Sequence, residues 1–307
     1  MNIFACMMGI EAKDKGETHM EKVIWNGKLM DRSQVQVDME DRGYQFGDGV
    51  YEVVRVYNGQ LFCAEAHLNR LLESARKIRI TIPYTVNHMK DLLQQLICEN
   101  NVQSGTVYMQ VTRGVSARNH LFPSSDTEPV LVAYSKEMAR PTEQMKTGIQ
   151  TMTVEDVRWL KCDIKSLNLL GNVLAKQSAA EQGCFEAIQH RSGTVTEGSS
   201  SNISIVCDGK VITHPANHLI LNGIVRQVML ESCRNNQIPV EERPFTLQEL
   251  MQAEEAIMTS TTAEIMPIIK VDGNPIGNGC VGQVTQQLQH FYDVEIAKEC
   301  GISPVTK

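Results

Sequence analysis

Three dipeptides, Asn26-Gly27, Asn58-Gly59 and Asp208-Gly209, constrain this chain more than any other feature of its sequence. Each separates two short β-rich runs. A two-residue hairpin loop of type I′ needs positive φ at both central residues, which Asn, Asp and Gly supply with least strain. Both halves of the chain are therefore committed to hairpins. Lys22–Trp25 pairs with the alternation after Gly27, Val53–Tyr57 with Gln60–Cys63, and Asn202–Val206 with Lys210–Thr213. Ser192-Gly193 and Asp272-Gly273 mark further turns.

Between the hairpins the apolar period changes from two to 3.6. Leu68, Leu71, Leu72, Ala75 and Ile78 recur at i, i+3, i+4, i+7 and i+10, one face of a helix. Helices are also predicted over Val86–Glu99, Val225–Asn235, Gly282–Lys298 and Leu167–Gln182, the last stopping at Gly183. Thr106–Thr112, Val130–Tyr134, Ile149–Val154, Ala187–His190 and Ala256–Thr259 read as strands. The mixture predicts an α+β chain of two domains. Residues 20–135 form the smaller, 136–146 a polar connection around Arg140-Pro141, and 147–307 the larger.

Composition removes several classes of function. Of 307 residues, 42% are hydrophobic and 21% charged, which excludes disorder as the main state. No apolar run approaches the ~20 residues of a membrane span. The net charge of −7 opposes nucleic-acid binding, which demands a basic face, and favours a soluble protein acting on small molecules. Nine cysteines without CxxC spacing argue against a zinc or redox site and for a reducing, cytoplasmic setting. Met1–Ile10 is apolar but lacks a preceding Lys or Arg, so residues 1–19 are expected to be a disordered extension and not a secretory signal.

Several segments carry groups capable of chemistry, each with a bland alternative. Lys165 stands at the predicted entrance of the Leu167 helix, where the dipole would depress an amine pKa; a solvated lysine is the commoner outcome. Thr196-Glu197-Gly198-Ser199-Ser200-Ser201-Asn202 sets an acid beside hydroxyls, as a polar surface loop also would, and no GxSxG elbow accompanies it. Gly223 precedes an apolar-periodic helix whose first amides can bind an anion. Thr259-Ser260-Thr261-Thr262 places four hydroxyls after a buried strand. Arg113 to His120 contributes guanidiniums and an imidazole suited to carboxylates.

Singly, each segment is more often structural than functional; their joint order decides. The motifs DRGYQFGDGVYE (41–52), RKIRITIPY (76–84), VTRG (111–114), CDIKSLNLLG (162–171), VTEGSSSN (195–202), THPAN (213–217) and TSTTAEI (259–265) follow one another. In that order and spacing the chain resembles the fold-type IV enzymes that use pyridoxal 5′-phosphate (PLP), and within them the D-amino-acid aminotransferases. The likeness runs from about Met20 to Ala297.

The resemblance implies a two-domain fold-type IV architecture, a smaller N-terminal α/β sandwich and a larger C-terminal pseudo-barrel. It implies PLP as cofactor and ping-pong transamination, D-alanine plus 2-oxoglutarate giving pyruvate plus D-glutamate. Lys165 would carry the Schiff-base link to PLP and shuttle the proton. Glu197 would pair with the pyridine nitrogen, Ser200 would lie at the ring edge and Leu221 against a ring face. Arg70, the amides of Ile224 and Val225, and the Thr261 hydroxyl would hold the phosphate. Tyr51, with Arg118 and His120 reaching in from a second copy of a homodimer, would grip the α-carboxylate, and Ser260 would sit near the substrate. Val225 departs from the family pattern, which has threonine there, and weaker PLP retention is expected. Two rivals share the fold: a pyruvate-releasing lyase resembling those acting on aminodeoxychorismate, and an L-branched-chain or amine aminotransferase.

Overall fold

Residues 21–301 are described by a computed structural model of the chain, and the expected extension at residues 1–19 lies outside them. Each predicted two-residue loop closes a hairpin. Asn26 and Gly27, at φ 48° and 77°, join β1 (Lys22–Trp25) to β2 (Lys28–Asp31). After the short α1 (Arg42–Phe46), β3 (Gly49–Tyr57) turns through Asn58 and Gly59 into β4 (Gln60–Leu61). Helices α2 (Ala64–Lys77) and α3 (Val86–Glu99) and strands β5 (Ser104–Thr112) and β6 (Val130–Glu137) complete the first unit. Its six strands run antiparallel in the order β2-β1-β6-β5-β3-β4.

The periodic face of α2 explains where the helices dock. Leu68, Leu71 and Ala75, with Met89, Leu93 and Leu96 of α3, cover the sheet face made by Val50, Val54, Val107 and Met109. Each of the Leu, Met and Val side chains contributes ~1.5–3 kcal/mol on burial. The opposite sheet face carries Tyr51 and faces the cleft described below.

The connection is more structured than its polar composition suggests. Lys136 and Glu137 pair with Thr106 and Gly105 as the end of β6, and residues 142–146 belong to α4 (Thr142–Thr147). The second unit then follows as β7 (Ile149–Glu155), α5 (Leu170–Glu181), β8 (Glu186–Arg191), β9 (Thr194–Gly198), β10 (Asn202–Cys207) and β11 (Lys210–Thr213). It continues as α6 (Ile224–Asn235), β12 (Val240–Glu242), α7 (Leu247–Gln252), β13 (Glu255–Ser260), β14 (Glu264–Val271), β15 (Asn274–Pro275) and α8 (Gln283–Cys300).

The long sheet runs β12-β11-β10-β13-β14-β7-β8-β9, with β15 on β14. β9 ends that order, yet Gly198 N donates to Ser201 O at 2.7 Å across the turn into β10. The sheet must therefore curl until its end strand meets β10, giving the half-barrel of an α+β fold. Its outer face is covered by α6 and α8 around Met229, Leu230, Leu288 and Ile296. Tyr57 and Phe62 of the first unit pack edge-on against one another, and Phe62 against Tyr292 of α8.

One local expectation needs correction, and one open alternative is decided. The helix predicted from Leu167 begins at Leu170, because the first sheet claims the preceding backbone. Ser166 bridges Val50, Tyr51 N donates to Lys165 O at 3.0 Å, and Leu167 N donates to Gly49 O at 3.0 Å. The bland alternative for 196–202, a polar surface loop, is also excluded: β9, Ser199, Ser201 and the start of β10 are buried, and of these residues Ser200 alone is exposed. Among the described residues, no helix is long and apolar enough to cross a membrane, and no group of His, Cys, Asp or Glu could hold a metal ion.

Candidate active site

Lys165 reaches its place because backbone on both sides is pinned. Its N–H donates to Ser74 Oγ of α2 at 3.2 Å, while its carbonyl is held by Tyr51 of β3. Close approach of the strand requires Gly49, where a Cβ would stand 2.7 Å from both Leu167 Cδ1 and Val111 O. The amine emerges 4.2 Å from the Tyr51 ring centroid, a cation–π contact. With α5 starting five residues later, its setting owes nothing to a helix N-terminus.

Around that amine lies an open cleft. Tyr51, Arg70, Lys165, Glu197, Ser200, Leu221, Ile224, Val225, Ser260 and Thr261 all border it. Residues more than 200 positions apart thus converge as expected. Arg118 and His120 do not join them. They gather around Phe46, the Arg118 guanidinium 4.4 Å from its ring centroid and the His120 ring 5.6 Å away.

At one end α6 begins. Its first amides, Ile224 and Val225, have no intrahelical acceptor and point their positive end at the cleft. Gly223 is required by space: a Cβ there would lie 2.1 Å from Asn202 Oδ1. Thr259 Oγ1, buried beside this end, has no hydrogen-bond partner within the described residues. Val225 packs into the core with Met229 and Ile257.

Arg70 borders the same end but is anchored from behind. Its Nε and Nη2 donate to the two oxygens of Glu52 at 2.6 and 2.9 Å, and Nη1 to Asn222 O at 3.0 Å. Burial alone would push the Glu52 carboxyl up, but Arg70 and the His67 contact at 2.8 Å hold it down at about 2. His67 itself lies below the ordinary histidine range, because burial outweighs Glu52. Burial thus favours the neutral imidazole, and Arg70 carries the balancing charge.

The opposite wall is built on β9. Glu197 accepts from Asn202 Nδ2 at 3.0 Å, from Leu221 N at 2.9 Å, and from Arg158 Nη1. Burial pushes its carboxyl above the usual range while Arg158 and the Leu221 amide pull it back. Arg158 divides itself, since its Nε and Nη2 also donate to Asp156 at 2.9 and 2.8 Å. Asp156 further accepts from Arg191 Nε and Thr196 Oγ1. Arg158 was not foreseen; nothing near it in sequence distinguishes it from a solvated arginine.

The serines do a different job from the one their composition suggests. Ser200 Oγ and Ser201 Oγ donate to buried Glu186 Oε2 at 3.0 and 3.1 Å, and Ser199 Oγ donates to Oε1. Ser200 borders the cleft, but its proton is spent on Glu186. The turn is thereby fixed to β8, and Glu186 is another residue that sequence reading missed.

This geometry presents an amine, a buried carboxylate with a raised pKa and an anion-binding helix end around one cleft, which suits an aromatic, phosphorylated cofactor. A model of the amino-transferase class IV family matches residues 49–271. The chain belongs to the class IV aminotransferases. Among its relatives, the D-alanine aminotransferase of Staphylococcus haemolyticus is 48% identical over 274 residues, covering 89% of this chain and 97% of that one. That of Listeria monocytogenes serotype 1/2a (strain 10403S) is 51% identical over 282 residues, 91% and 98% of the two chains. The solved branched-chain amino acid aminotransferase of Escherichia coli superposes with a TM-score of 0.84 at 24% identity, over 89% of this chain and 94% of that one. It shares the fold-type IV architecture. This chain is an aminotransferase with that fold.

Proposed function

We propose that the protein transfers amino groups between D-amino acids and 2-oxo acids with PLP, converting D-alanine and 2-oxoglutarate to pyruvate and D-glutamate. The observation that carries this reading is the convergence of Lys165, Glu197 and the α6 N-terminus on one cleft, in a chain about half identical to D-alanine aminotransferases. PLP fits the residues present. The amides of Ile224 and Val225, the Thr261 hydroxyl, the unpartnered Thr259 hydroxyl and Arg70 offer donors for a phosphate at one end. Glu197 offers an acceptor for a ring N–H at the other, and Leu221 an apolar wall.

When bound, PLP supplies an electron-accepting ring and a carbon that exchanges amine partners. Lys165 provides the resident amine and afterwards takes and returns the proton at the substrate Cα. Glu197, kept acidic enough by Arg158 and basic enough by burial, holds a proton on the ring nitrogen. Tyr51, beneath the Lys165 amine, fixes the face from which that amine works. Stereoselectivity follows, because only a Cα–H directed at Lys165 is removable.

Arg118 and His120 act on the substrate carboxylate only if a second copy brings them to the cleft, so the reading includes a homodimer. Exposed Val157, Trp159 and Leu160, in the segment just before Lys165, support such an interface. The scattered thiols support a cytoplasmic setting. The test is the visible spectrum of the PLP-loaded protein. D-Alanine should bleach the yellow band of the lysine-bound cofactor and release pyruvate continuously only when a 2-oxo acid regenerates it. Bleaching by L-alanine or L-leucine would assign the L-aminotransferase reading, and continuous pyruvate release without an amino acceptor the lyase reading.

A further inference from the structure

We propose that Glu264 is a positioning residue for the hydroxyl rim of the cleft, holding Thr259, Ser260 and Thr261 where the cofactor phosphate binds. The inference rests on the PLP reading above. Glu264 closes the loop from β13 to β14, opposite Ser260 in the ladder, and its backbone lies at φ 58°. A glutamate there is unusual, since glycine or asparagine meets left-handed backbone with less strain. It is also fully buried.

A strained residue persists only where its surroundings over-determine it. Here they do. Tyr57 OH donates to Glu264 Oε1 at 2.9 Å and Arg140 Nε to the same oxygen at 2.8 Å, while Arg140 Nη2 donates to Oε2. Arg140 also donates to Asp293 Oδ1 at 2.6 Å. The loop is thereby tied to β3, to the connection before α4 and to α8. Within it, Ala263 N donates to Ser260 Oγ at 3.1 Å. Just ahead stands buried Thr259 Oγ1 without a partner among the described residues, bordering the cleft with Ser260 and Thr261. A glycine at 264 would satisfy the backbone without burying a charge. The charge instead anchors, from outside the cleft, the strand end and loop that together present three consecutive hydroxyl residues to it.

The experiment measures release of PLP from the loaded protein on dilution into inorganic phosphate, alongside Tm. Glu264→Gln should release PLP at least tenfold faster than the parent. Thr261→Ala should behave similarly, and the double variant should be no faster than the faster single one, as expected for residues acting through one contact. Leu93→Ala, in the core beneath α3 and away from the cleft, supplies the control for lost stability alone. Release from Glu264→Gln no faster than from Leu93→Ala overturns the proposal. If Glu264→Gln fails to fold, Tyr57→Phe decides: release about threefold faster supports positioning, and unchanged release overturns it. Parent protein that takes up no PLP overturns the cofactor reading instead, a separate result.

Discussion

Two arginine–carboxylate pairs flank the cleft, one in each half of the chain, and they do opposite things. Arg70 pairs with one acid, Glu52, contacting both oxygens, with His67 completing the shell. The charge is balanced, and the carboxyl stays ionised down to about 2. Arg158 serves two acids, Asp156 and Glu197, so neither has it fully. Asp156, with Arg191 added, is held down at about 2, whereas burial wins at Glu197 and raises it. The same chemical pair is an anchor where charge is matched and a proton-handling group where it is shared.

Substitution can break this comparison. Glu197→Gln should lower kcat about 100-fold or more, in the range for losing one preorganised electrostatic contact, while leaving Tm no lower than the parent's. A lower Tm with kcat retained would make Glu197 an anchor like Glu52.

Glu52→Gln should show the converse: a stability loss of roughly 3 kcal/mol, typical of breaking a buried pair, with activity following folding. The pH dependence has a fixed sign. The folded pKa of Glu52, about 2, lies below its ordinary value of 4.5, so its stabilisation is complete above about 4.5 and disappears as pH falls towards 2. That difference corresponds to roughly 3 kcal/mol. Acid unfolding of the parent should therefore steepen below pH 4.5, and Glu52→Gln should flatten that limb. An unchanged acid limb would remove Glu52 from the anchor role.

The smallest effect is expected at the helix end. Val225→Thr adds a hydroxyl beside amides already free, so PLP release should slow by a few-fold. Release at the parent rate would show that the backbone N–H groups suffice.

The contrast also marks how far the sequence can be read. The turns at Asn26-Gly27 and Asp208-Gly209 were legible because positive φ is decided within two residues. The α2 face was legible because burial repeats along it. Helix α5 began late because Ser166 and Leu167 bond to β3, more than 100 residues away, and no local signal carries that competition. Most of the candidate site came from ordered motifs. Glu52, Asp156, Arg158, Glu186 and Glu264 were missed because a buried charge and an exposed one look alike until the partner is placed. Arg118 and His120 show the same limit from the other side: their residue types suit a carboxylate, but within one chain they gather at Phe46.

The central claim is that Lys165 is the resident amine of a PLP cleft completed by Glu197 and the α6 N-terminus. Borohydride reduction of the PLP-loaded protein, followed by peptide mass mapping, tests it directly. The account predicts one phosphopyridoxyl modification, on Lys165, prevented by prior addition of D-alanine. Modification of a different lysine, or of none, would contradict it.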